Sequence, residues 1–484
     1  MEVILAIHFR YSAPYAMDAL TRALEDTPPL SPTPEKFKMS SSKFEALYTP
    51  IRLTEERRVE LVQEGPSSPK GSTIIITPAP EKTTPKVSSL SHKILILIGG
   101  NAGFSRILRN DWLDRHSDGI VISLVRKPNN YPDPSRCISI AMGDYGYHNP
   151  AKIQALVEEK LLELNPESIS IVSCAGTADP KCGETLYTSN ILPTINSAKG
   201  IIKIAHDLKV KNIAFIYLSS IACSYVDPKQ SPYVLSKLVA EEKAEALMIK
   251  ARESGEFSSV TYAGLRAGAI KSREDCADKS HHPHDCEGLA TMLPYFPTPG
   301  KRGQIDPAFP YLAARDLADI ILNIIDAKTN FSGNFDAVSS ELVTYSEMAK
   351  TYTSFYGIDH FPIYLPTELL KELAEIIPHG KFSAYAFYLL EELCKENSRP
   401  FDTTQAKFWL NRDFIKLKEI GVPTDEESGK PIYPESAVSA HLKEATIQFL
   451  KDPRKLAKAI LALAKHSPEL LEEIHHIVTK GARS

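Results

Sequence analysis

The sequence lacks both a marked excess of charge and any long apolar run. Its 484 residues carry a formal net charge of -4, and 43% of them are hydrophobic. This charge balance gives no general reason to expect nucleic acid or an acidic membrane surface as a partner. Because no run of about 18 apolar residues occurs, we expect no integral membrane segment.

Cysteine is scarce, and a basic leader is missing from the N-terminus. Seven cysteines, odd in number and irregularly spaced over a long chain, do not form a disulfide framework. A reducing, cytoplasmic location is therefore expected. The stretch Met1–Phe9 is mainly apolar but lacks a basic leader and is interrupted early by His8 and Arg10, so no secretory signal is expected.

Composition divides the chain into five segments. Residues 1–92 are expected to form an N-terminal arm that is largely a linker rich in proline and serine, with a short strand at Val3–Phe9, a helix at Pro14–Leu24 and strand character at Thr73–Thr77. From Lys93 onwards, short apolar runs alternate with helical patterns, which indicates crossover units and a parallel sheet. We expect a Rossmann domain at 93–271 and 305–338, interrupted by a substrate-loop segment at 272–304. A smaller, mostly helical substrate domain is expected at 339–484.

The predicted fold class is therefore α/β, with a doubly wound parallel sheet of the Rossmann type. The predicted strands are 94–98, 119–125, 168–172, 212–218, 259–265 and 334–338, and the predicted helices are 150–164, 189–208, 233–253 and 315–327. Residues 453–478 carry one apolar stripe at helical spacing and a face of mixed charge. Such a helix favours packing on the domain or on a second copy of the chain, so a homodimer is one expectation.

A glycine-rich loop follows the first predicted strand, over residues 99–106. A strand that feeds a helix through such a turn lets the backbone approach a pyrophosphate, whose charge the helix N-terminus favours. Gly100 and Gly103 match the first two glycines of a G-x-x-G-x-x-G spacing, but Arg106 replaces the third. A tight turn without a ligand is the alternative, and the position after the first buried strand favours the dinucleotide site. The residues assigned to this part of the site are Gly100, Asn101, Gly103, Phe104 and Arg106.

Arg126 directly follows the second predicted strand, at the place where an acidic residue would accept a hydrogen bond from the ribose 2′-hydroxyl of NAD. A basic residue at this place accommodates a 2′-phosphate instead. The sequence therefore predicts NADP(H), with NAD(H) as the less favoured cofactor. A solvated loop arginine is the alternative interpretation.

Tyr233 and Lys237 stand four residues apart at the start of a predicted helix, which puts the phenol and the ammonium on one face. A tyrosine ordinarily has a pKa of about 10, and a neighbouring cation can lower it towards the range useful for proton transfer. A solvated helix face is the common alternative for such a spacing. Here the preceding strand ends at Ser220, the strand 168–172 is followed by Cys174-Ala175-Gly176, and Asn190 lies on the helix between them.

Because these motifs occur together, the sequence resembles the short-chain dehydrogenase/reductase superfamily, extended type, over roughly residues 93–350. The resemblance assigns Ser220, Tyr233 and Lys237 to its catalytic triad, and Asn190 with Thr194 to the helix position that supports a proton-relay water. It also implies that Asp144, in Met142-Gly143-Asp144, contacts the adenine, and that Ala175 and Gly176 form the small-residue motif beside the cofactor.

Later motifs extend the resemblance, with one departure. Gly264–Ala267 resembles the family's L-R-P segment but has Ala267 in place of the proline. Tyr311–Asp316 and Thr344–Met348 resemble the segment that closes the domain and a later helix start. Ile363–Pro366, and Phe414–Gly421 before a predicted helix at 435–450, resemble the end of 3β-hydroxysteroid dehydrogenase-like members.

A dense group of potential metal ligands lies between residues 276 and 286. The group consists of Cys276, His281, His282, His284, Asp285 and Cys286. Its spacing matches no usual zinc pattern, and it falls in the substrate-loop segment. No metal site is expected.

The resemblance implies NADP(H)-dependent oxidation or reduction of a hydroxyl/carbonyl pair on a small molecule, or epimerisation through a transient ketone. The alternative is a catalytically degenerate scaffold that acts through protein partners. Arg106 in the glycine loop and the long extensions keep this alternative open, whereas the retention of Ser220, Tyr233 and Lys237 favours an enzyme.

Overall fold

The computed structural model describes the central part of the chain and a few later segments. The described residues are 92–100, 103–125, 131, 133–143, 150–176, 186–229, 231–272, 297–299, 310–341, 343–355, 363–365, 401–421 and five positions between 458 and 466. The N-terminal arm, most of the segment 272–304 and the predicted helix 435–450 lie outside this set, so the expectations for them stay predictions.

Eleven strands and eight α-helices occur within the described residues. The strands are β1 (His92–Ile98), β2 (Gly119–Val125), β3 (Cys137–Ala141), β4 (Pro166–Ser173), β5 (Asn212–Ser220), β6 (Ser259–Ala267), β7 (Ala269–Lys271), β8 (Pro297–Pro299), β9 (Tyr311–Ala313), β10 (Ser332–Ala337) and β11 (Ile363–Leu365). The helices are α1 (Gly103–Arg115), α2 (Pro150–Leu164), α3 (Leu192–Asp207), α4 (Pro232–Glu253), α5 (Ala314–Asp326), α6 (Tyr345–Phe355), α7 (Thr404–Leu410) and α8 (Leu417–Ile420).

Seven strands form one parallel sheet in the order β10-β6-β5-β4-β1-β2-β3. The chain winds outward from β1 in one direction and then from β4 in the other, which is the doubly wound Rossmann topology. The predicted fold class is thereby confirmed, and all six predicted strands belong to this sheet. The sequence prediction missed β3, a five-residue edge strand with only two buried side chains.

The core has two layers, one on each face of the sheet. Ile94, Ile96 and Ile98 pack with α2, α3 and α4 on one face, whereas Leu95 and Leu97 pack with α1 and α5 on the other. All five side chains are completely buried. This two-sided burial is why the strand is a continuous apolar run rather than an alternating one.

Residues 401–421 return to the Rossmann core and are held there by polar contacts. Asp316, at the start of α5, accepts a hydrogen bond from the backbone of Ile415 (2.8 Å) and pairs with the Arg412 guanidinium (2.7 Å). Asn323 on the same helix donates to the carbonyl of Trp409 (2.7 Å). This part of the predicted helical C-terminal region therefore packs directly on the sheet domain. None of the helices in the described ranges is both long and apolar enough to span a membrane.

The ion pair between Arg412 and Asp316 gives a stability prediction. Asp316 is completely buried, and burial raises the pKa of its carboxyl while Arg412 and the Ile415 amide oppose that rise. Arg412→Ala leaves a buried carboxylate with one partner fewer, so we expect a loss of roughly 2 kcal/mol or more in the free energy of unfolding. Denaturant titration at pH 7 measures it.

Arg115 offers a matched control on the same surface. It pairs with Asp319 (3.1 Å) and Asp326 (3.3 Å), whose side chains are about one-third exposed. Because exposed pairs contribute little, Arg115→Ala is expected to cost less than about 1 kcal/mol. Equal losses for the two variants would contradict a special role for the buried carboxylate.

Candidate active site

The first two positions after β1 pass so close to their neighbours that they accept only glycine. Gly99 has a φ of +81°, and a Cβ there would lie 3.0 Å from the backbone nitrogen of Ala175. A Cβ on Gly100 would lie 2.6 Å from the Cβ of Ser123, on β2. The loop therefore lies tightly over β2 and the end of β4, at the point where the strand order reverses and where ligands of such sheets bind.

Further features of this loop fit a dinucleotide. Helix α1 begins at Gly103, so its unpaired N–H groups and dipole face the loop. The Ser123 hydroxyl beneath Gly100 is buried without a hydrogen-bond partner. Arg106, where the third glycine is usual, is only half-buried. Because α1 packs on the sheet through other residues, Ile107 and Leu108 among them, the arginine leaves helix–strand packing intact.

Three predicted cofactor residues cannot be placed. Asn101, Arg126 and Asp144 lie outside the described residues, so their roles and the preference for NADP(H) stay predictions. The histidine and cysteine group at 276–286 lies outside them too. Among the described residues, no cluster of three or more histidine, cysteine or acidic side chains could hold a metal ion.

At the end of β4, Gly176 lies beside two of the predicted catalytic side chains. A Cβ on Gly176 would lie 2.9 Å from the Asn190 Oδ1 and 3.3 Å from the Lys237 Nζ. The structure thus brings Gly176, Asn190 and Lys237 together, although 61 residues of sequence separate the first from the last. Any side chain at position 176 would enter the space that these two polar groups share.

Asn190 is held by an irregular turn of helix. Residues Tyr187–Ile191 form a π-helical turn that continues into α3, and such turns are frequent at functional sites. Asn190 is completely buried, and its Nδ2 donates to the Ser236 hydroxyl on α4 (2.9 Å). Its backbone carbonyl accepts from the Thr194 hydroxyl (3.1 Å), which also contacts Ser173 (3.0 Å).

Ser220 and Tyr233 meet across the gap between β5 and α4. Ser220 is the last residue of β5, and its hydroxyl accepts from the backbone of Ala222 (3.3 Å) in the 3-10 turn Ile221–Ser224. Helix α4 is capped by Ser231, which accepts from the Val234 amide (3.3 Å). This cap sets Tyr233 in the first turn of the helix, where its phenol is hydrogen-bonded to Ser220.

Lys237 is 7% exposed and is bound by the sheet rather than by the tyrosine. Its ammonium donates to the carbonyl of Leu218 on β5 (3.0 Å) and lies 5.1 Å from the Tyr217 ring centroid. The Tyr233 ring centroid is farther away, at 6.0 Å. Desolvation by the surrounding protein lowers the pKa of Lys237 to about 8.

The tyrosine is not activated as the sequence predicted. The expectation was that Lys237 lowers the pKa of Tyr233, but burial raises that pKa to about 12, and only the hydrogen bond from Ser220 opposes the rise. Desolvation of the phenolate exceeds the help that a cation bound to Leu218 can give. In this structure Tyr233 is therefore a neutral phenol that can donate a proton.

Sequence reasoning missed three residues of this site. Ser236, inside the Tyr233–Lys237 motif, links Asn190 to the backbone carbonyl of Tyr233 (2.7 Å). Burial raises the pKa of the Cys174 and Cys223 thiols to about 11 in each case. Both thiols are therefore protonated at neutral pH and are poor nucleophiles. The sequence placed Cys174 after the strand 168–172 without giving it a role, and no sequence signal distinguished Cys223.

Comparison with known proteins finds similarity among solved structures only. No protein-family model and no curated protein matches the chain. UDP-N-acetylglucosamine 4-epimerase from Bacillus cereus is 15% identical, with 68% of this chain and 95% of that chain covered and a TM-score of 0.44. UDP-glucose 4-epimerase from Thermotoga maritima is 16% identical, with 67% and 95% covered and a TM-score of 0.45.

A third similar structure is the ADP-L-glycero-D-manno-heptose-6-epimerase of Helicobacter pylori. It is 15% identical, with 74% of this chain and 97% of that chain covered and a TM-score of 0.43. The Rossmann fold of this chain is established by its own strand order.

The buried ammonium of Lys237 gives a prediction with a defined pH range. Its pKa of about 8 lies below the ordinary value of 10.5, so the unfolded chain binds the proton more tightly than the folded one. The charge therefore costs stability fully below pH 8, and the cost disappears as the pH rises through 10.5. Lys237→Met removes it, so the stability of wild type relative to this variant should rise by about 3 kcal/mol between pH 7 and pH 10.5.

Chemical denaturation of both proteins at several pH values measures this difference. Lys243, exposed on the same helix, provides the control: Lys243→Met should follow the wild-type pH dependence because its ammonium stays hydrated. A constant difference between wild type and Lys237→Met across this range would show that the ammonium is not desolvated.

Proposed function

We propose that the chain is an NAD(P)-dependent oxidoreductase or epimerase of the extended short-chain dehydrogenase/reductase type. It acts on a hydroxyl or carbonyl group of a small molecule through Ser220, Tyr233 and Lys237. The observation that carries the proposal is the convergence of two pairs, Ser220 with Tyr233 and Asn190 with Lys237, at the carboxyl edge of the sheet. A scaffold has no need for this arrangement beside a glycine loop shaped for a dinucleotide.

The chain's own residues divide the work of binding and proton transfer. The nicotinamide cofactor, when bound, supplies or accepts the hydride. Gly99, Gly100 and the N-terminus of α1 would hold its pyrophosphate, and Lys237 would hold the ribose beside the nicotinamide. With a pKa of about 8, Lys237 is mostly protonated at neutral pH and presents a cation to that ribose.

Ser220 and Tyr233 would act on the substrate oxygen. Ser220 donates a hydrogen bond to it, and Tyr233 protonates it as a carbonyl is reduced, or removes its proton as a hydroxyl is oxidised. The high pKa of Tyr233, about 12, makes the neutral phenol the resting form. Reduction therefore starts from the form that the site already stabilises, and oxidation requires cofactor and substrate to favour the phenolate.

The scaffold alternative differs in what it needs from the site. It would keep the fold and act through protein partners, with the catalytic groups unused. Thermal denaturation with and without NADPH or NADH separates the two, because a ligand of the native state raises the apparent stability. Absence of any shift with either cofactor at millimolar concentration would favour the scaffold. A cytoplasmic location and a homodimer also stay proposals.

Tyr233→Phe tests the mechanism. The change removes only the phenolic hydroxyl, so cofactor binding should survive while turnover falls by about 10²–10⁴-fold, the usual contribution of a positioned acid/base. Single-turnover absorbance of the reduced nicotinamide at 340 nm, with a panel of secondary alcohols and ketones, measures turnover. Near wild-type turnover in this variant would exclude Tyr233 as the proton carrier.

Arg126→Asp tests the choice of cofactor. If the arginine binds a 2′-phosphate, wild type should bind NADPH at least about tenfold more tightly than NADH, since a charge-assisted contact contributes 1.5–3 kcal/mol. The variant should reverse that preference. Calorimetric titration of both cofactors into both proteins measures it. Equal affinities in wild type would remove the argument for NADP(H) and leave the rest of the proposal unaffected.

A further inference from the structure

We propose that Tyr217 is a positioning residue whose ring face holds the ammonium of Lys237 as a cation. The inference rests on the proposed function, in which that cation binds the cofactor ribose. Neither the spacing of the Tyr233–Lys237 motif nor the family resemblance gave Tyr217 a role, because it lies inside a strand rather than at its end.

The strand β5 places Tyr217 on the face of the sheet that Lys237 reaches. The side chains of Phe215 and Tyr217 belong to the core layer that is formed with α2, α3 and α4, and Lys237 extends from α4. Its ammonium lies over the Tyr217 ring, 5.1 Å from the ring centroid, and donates to the carbonyl of the next residue, Leu218 (3.0 Å). Two consecutive residues of one strand therefore act on the same charge, one through its ring and one through its backbone.

The distance and the burial are those at which an aromatic ring attracts a cation. This attraction acts within about 6 Å of the ring centroid and is stronger where water is excluded. Tyr217 is completely buried and Lys237 is 7% exposed, so water does little to screen the pair. The Tyr233 ring, at 6.0 Å, lies at the limit of the range. Of these two rings, Tyr217 therefore contributes more to holding the charge.

The hydroxyl of Tyr217 has no hydrogen-bond partner in the described part of the chain, although it is buried. Burial raises the pKa of this phenol well above its ordinary value, so the group is neutral. A buried polar group without a partner costs free energy, and no hydrogen bond among the described residues favours a tyrosine at this position. What the residue presents to Lys237 is the face of its ring.

The titratable groups around the ammonium supply little negative charge of their own. They are Cys174 after β4, Cys223 in the 3-10 turn, and Tyr233 and Glu241 on α4. Burial raises the pKa values of the two thiols to about 11 and that of Tyr233 to about 12, so all three are neutral near pH 7. The Glu241 carboxylate is bound at both oxygens by Arg266 (3.2 and 2.9 Å). The charge state of Lys237 is therefore sensitive to the ring beside it.

Fluorination tests the ring face with little change in the shape of the core. Tyr217→Phe keeps the ring and removes only the unpartnered hydroxyl, so Lys237 should titrate nearly as in wild type. Phenylalanine with one, two or three ring fluorines, incorporated at position 217 of the full-length chain, reduces the negative potential of the face stepwise. We expect the pKa of Lys237 to fall with each fluorine, by roughly one unit in total from about 8.

The measurement is the pH titration of the ¹³Cε resonances of lysine by NMR, with the Lys237 signal assigned by its loss in Lys237→Arg. No cofactor or substrate is added, so the result does not depend on whether the chain is an enzyme. Phe215 on β5, completely buried in the same layer, is the matched control, because the same fluorines placed there leave the Tyr217 ring unchanged. An unchanged Lys237 titration across the series at 217, or an equal fall from the series at 215, would overturn the proposal.

The cofactor adds a second readout for the same variants. If NADPH or NADH binds, the pH above which its affinity falls should move downward along the fluorinated series together with the Lys237 titration. If neither cofactor binds wild type, the proposed function fails while the NMR titration still decides the role of Tyr217. A shifted titration with an unshifted binding midpoint would overturn the link between this ring and the cofactor.

Discussion

A cation buried at the carboxyl edge of a parallel sheet is the interaction on which the site depends. Lys237 reaches the Leu218 carbonyl from α4, and so the helix must start close to the end of β5. That closeness also brings Tyr233 to Ser220. Gly176 leaves the space that the ammonium occupies, and burial of the neighbouring thiols keeps them uncharged. The glycine, the amide and the helix cap are all arranged around one charge that the protein interior disfavours.

Burial of apolar side chains on both faces of the sheet offsets the free-energy cost of burying this charge. Both faces of β1 are completely buried, and each additional apolar side chain in these layers contributes about 1.5–3 kcal/mol relative to exposure. A desolvated ammonium costs an amount of the same order. The buried ammonium is therefore offset by the two-sided core that flanks the described sheet.

The sequence revealed those parts of the molecule that depend on continuous burial. Six strands were predicted because short strand-like segments, the first of them a continuous apolar run, alternate with helical patterns, and α2 and α4 were predicted to within one residue of their observed bounds. Strand β3 was missed because it is a short edge strand with only two buried side chains. The π-helical turn before α3 was missed as well, since an extra residue in one turn leaves the helical pattern on either side unchanged.

The residues of the candidate site could be predicted only where their place follows from their position in a sequence motif. Tyr233, Lys237 and Ser220 could be named because they stand at the ends of predicted elements. The direction of the Tyr233 pKa shift could not be predicted, because it depends on whether the desolvation of the phenolate outweighs its attraction to the Lys237 ammonium. Ser236 was missed for a similar reason: its hydrogen bonds to Asn190 and to the Tyr233 carbonyl depend on how two helices meet and not on its place in the motif.

The turn that carries Ser220 is also fixed from the far edge of the sheet. Asp336 on β10 accepts from the Ser224 hydroxyl (2.5 Å) and from the backbone of Asp402, and the Tyr225 and Phe401 rings meet edge to face at 6.1 Å. The returning segment 401–421 therefore contacts the turn directly after the proposed catalytic serine. Because a shift of the segment would move that turn, the position of Ser220 depends on chain far beyond the nucleotide-binding region as well as on the strand that precedes it.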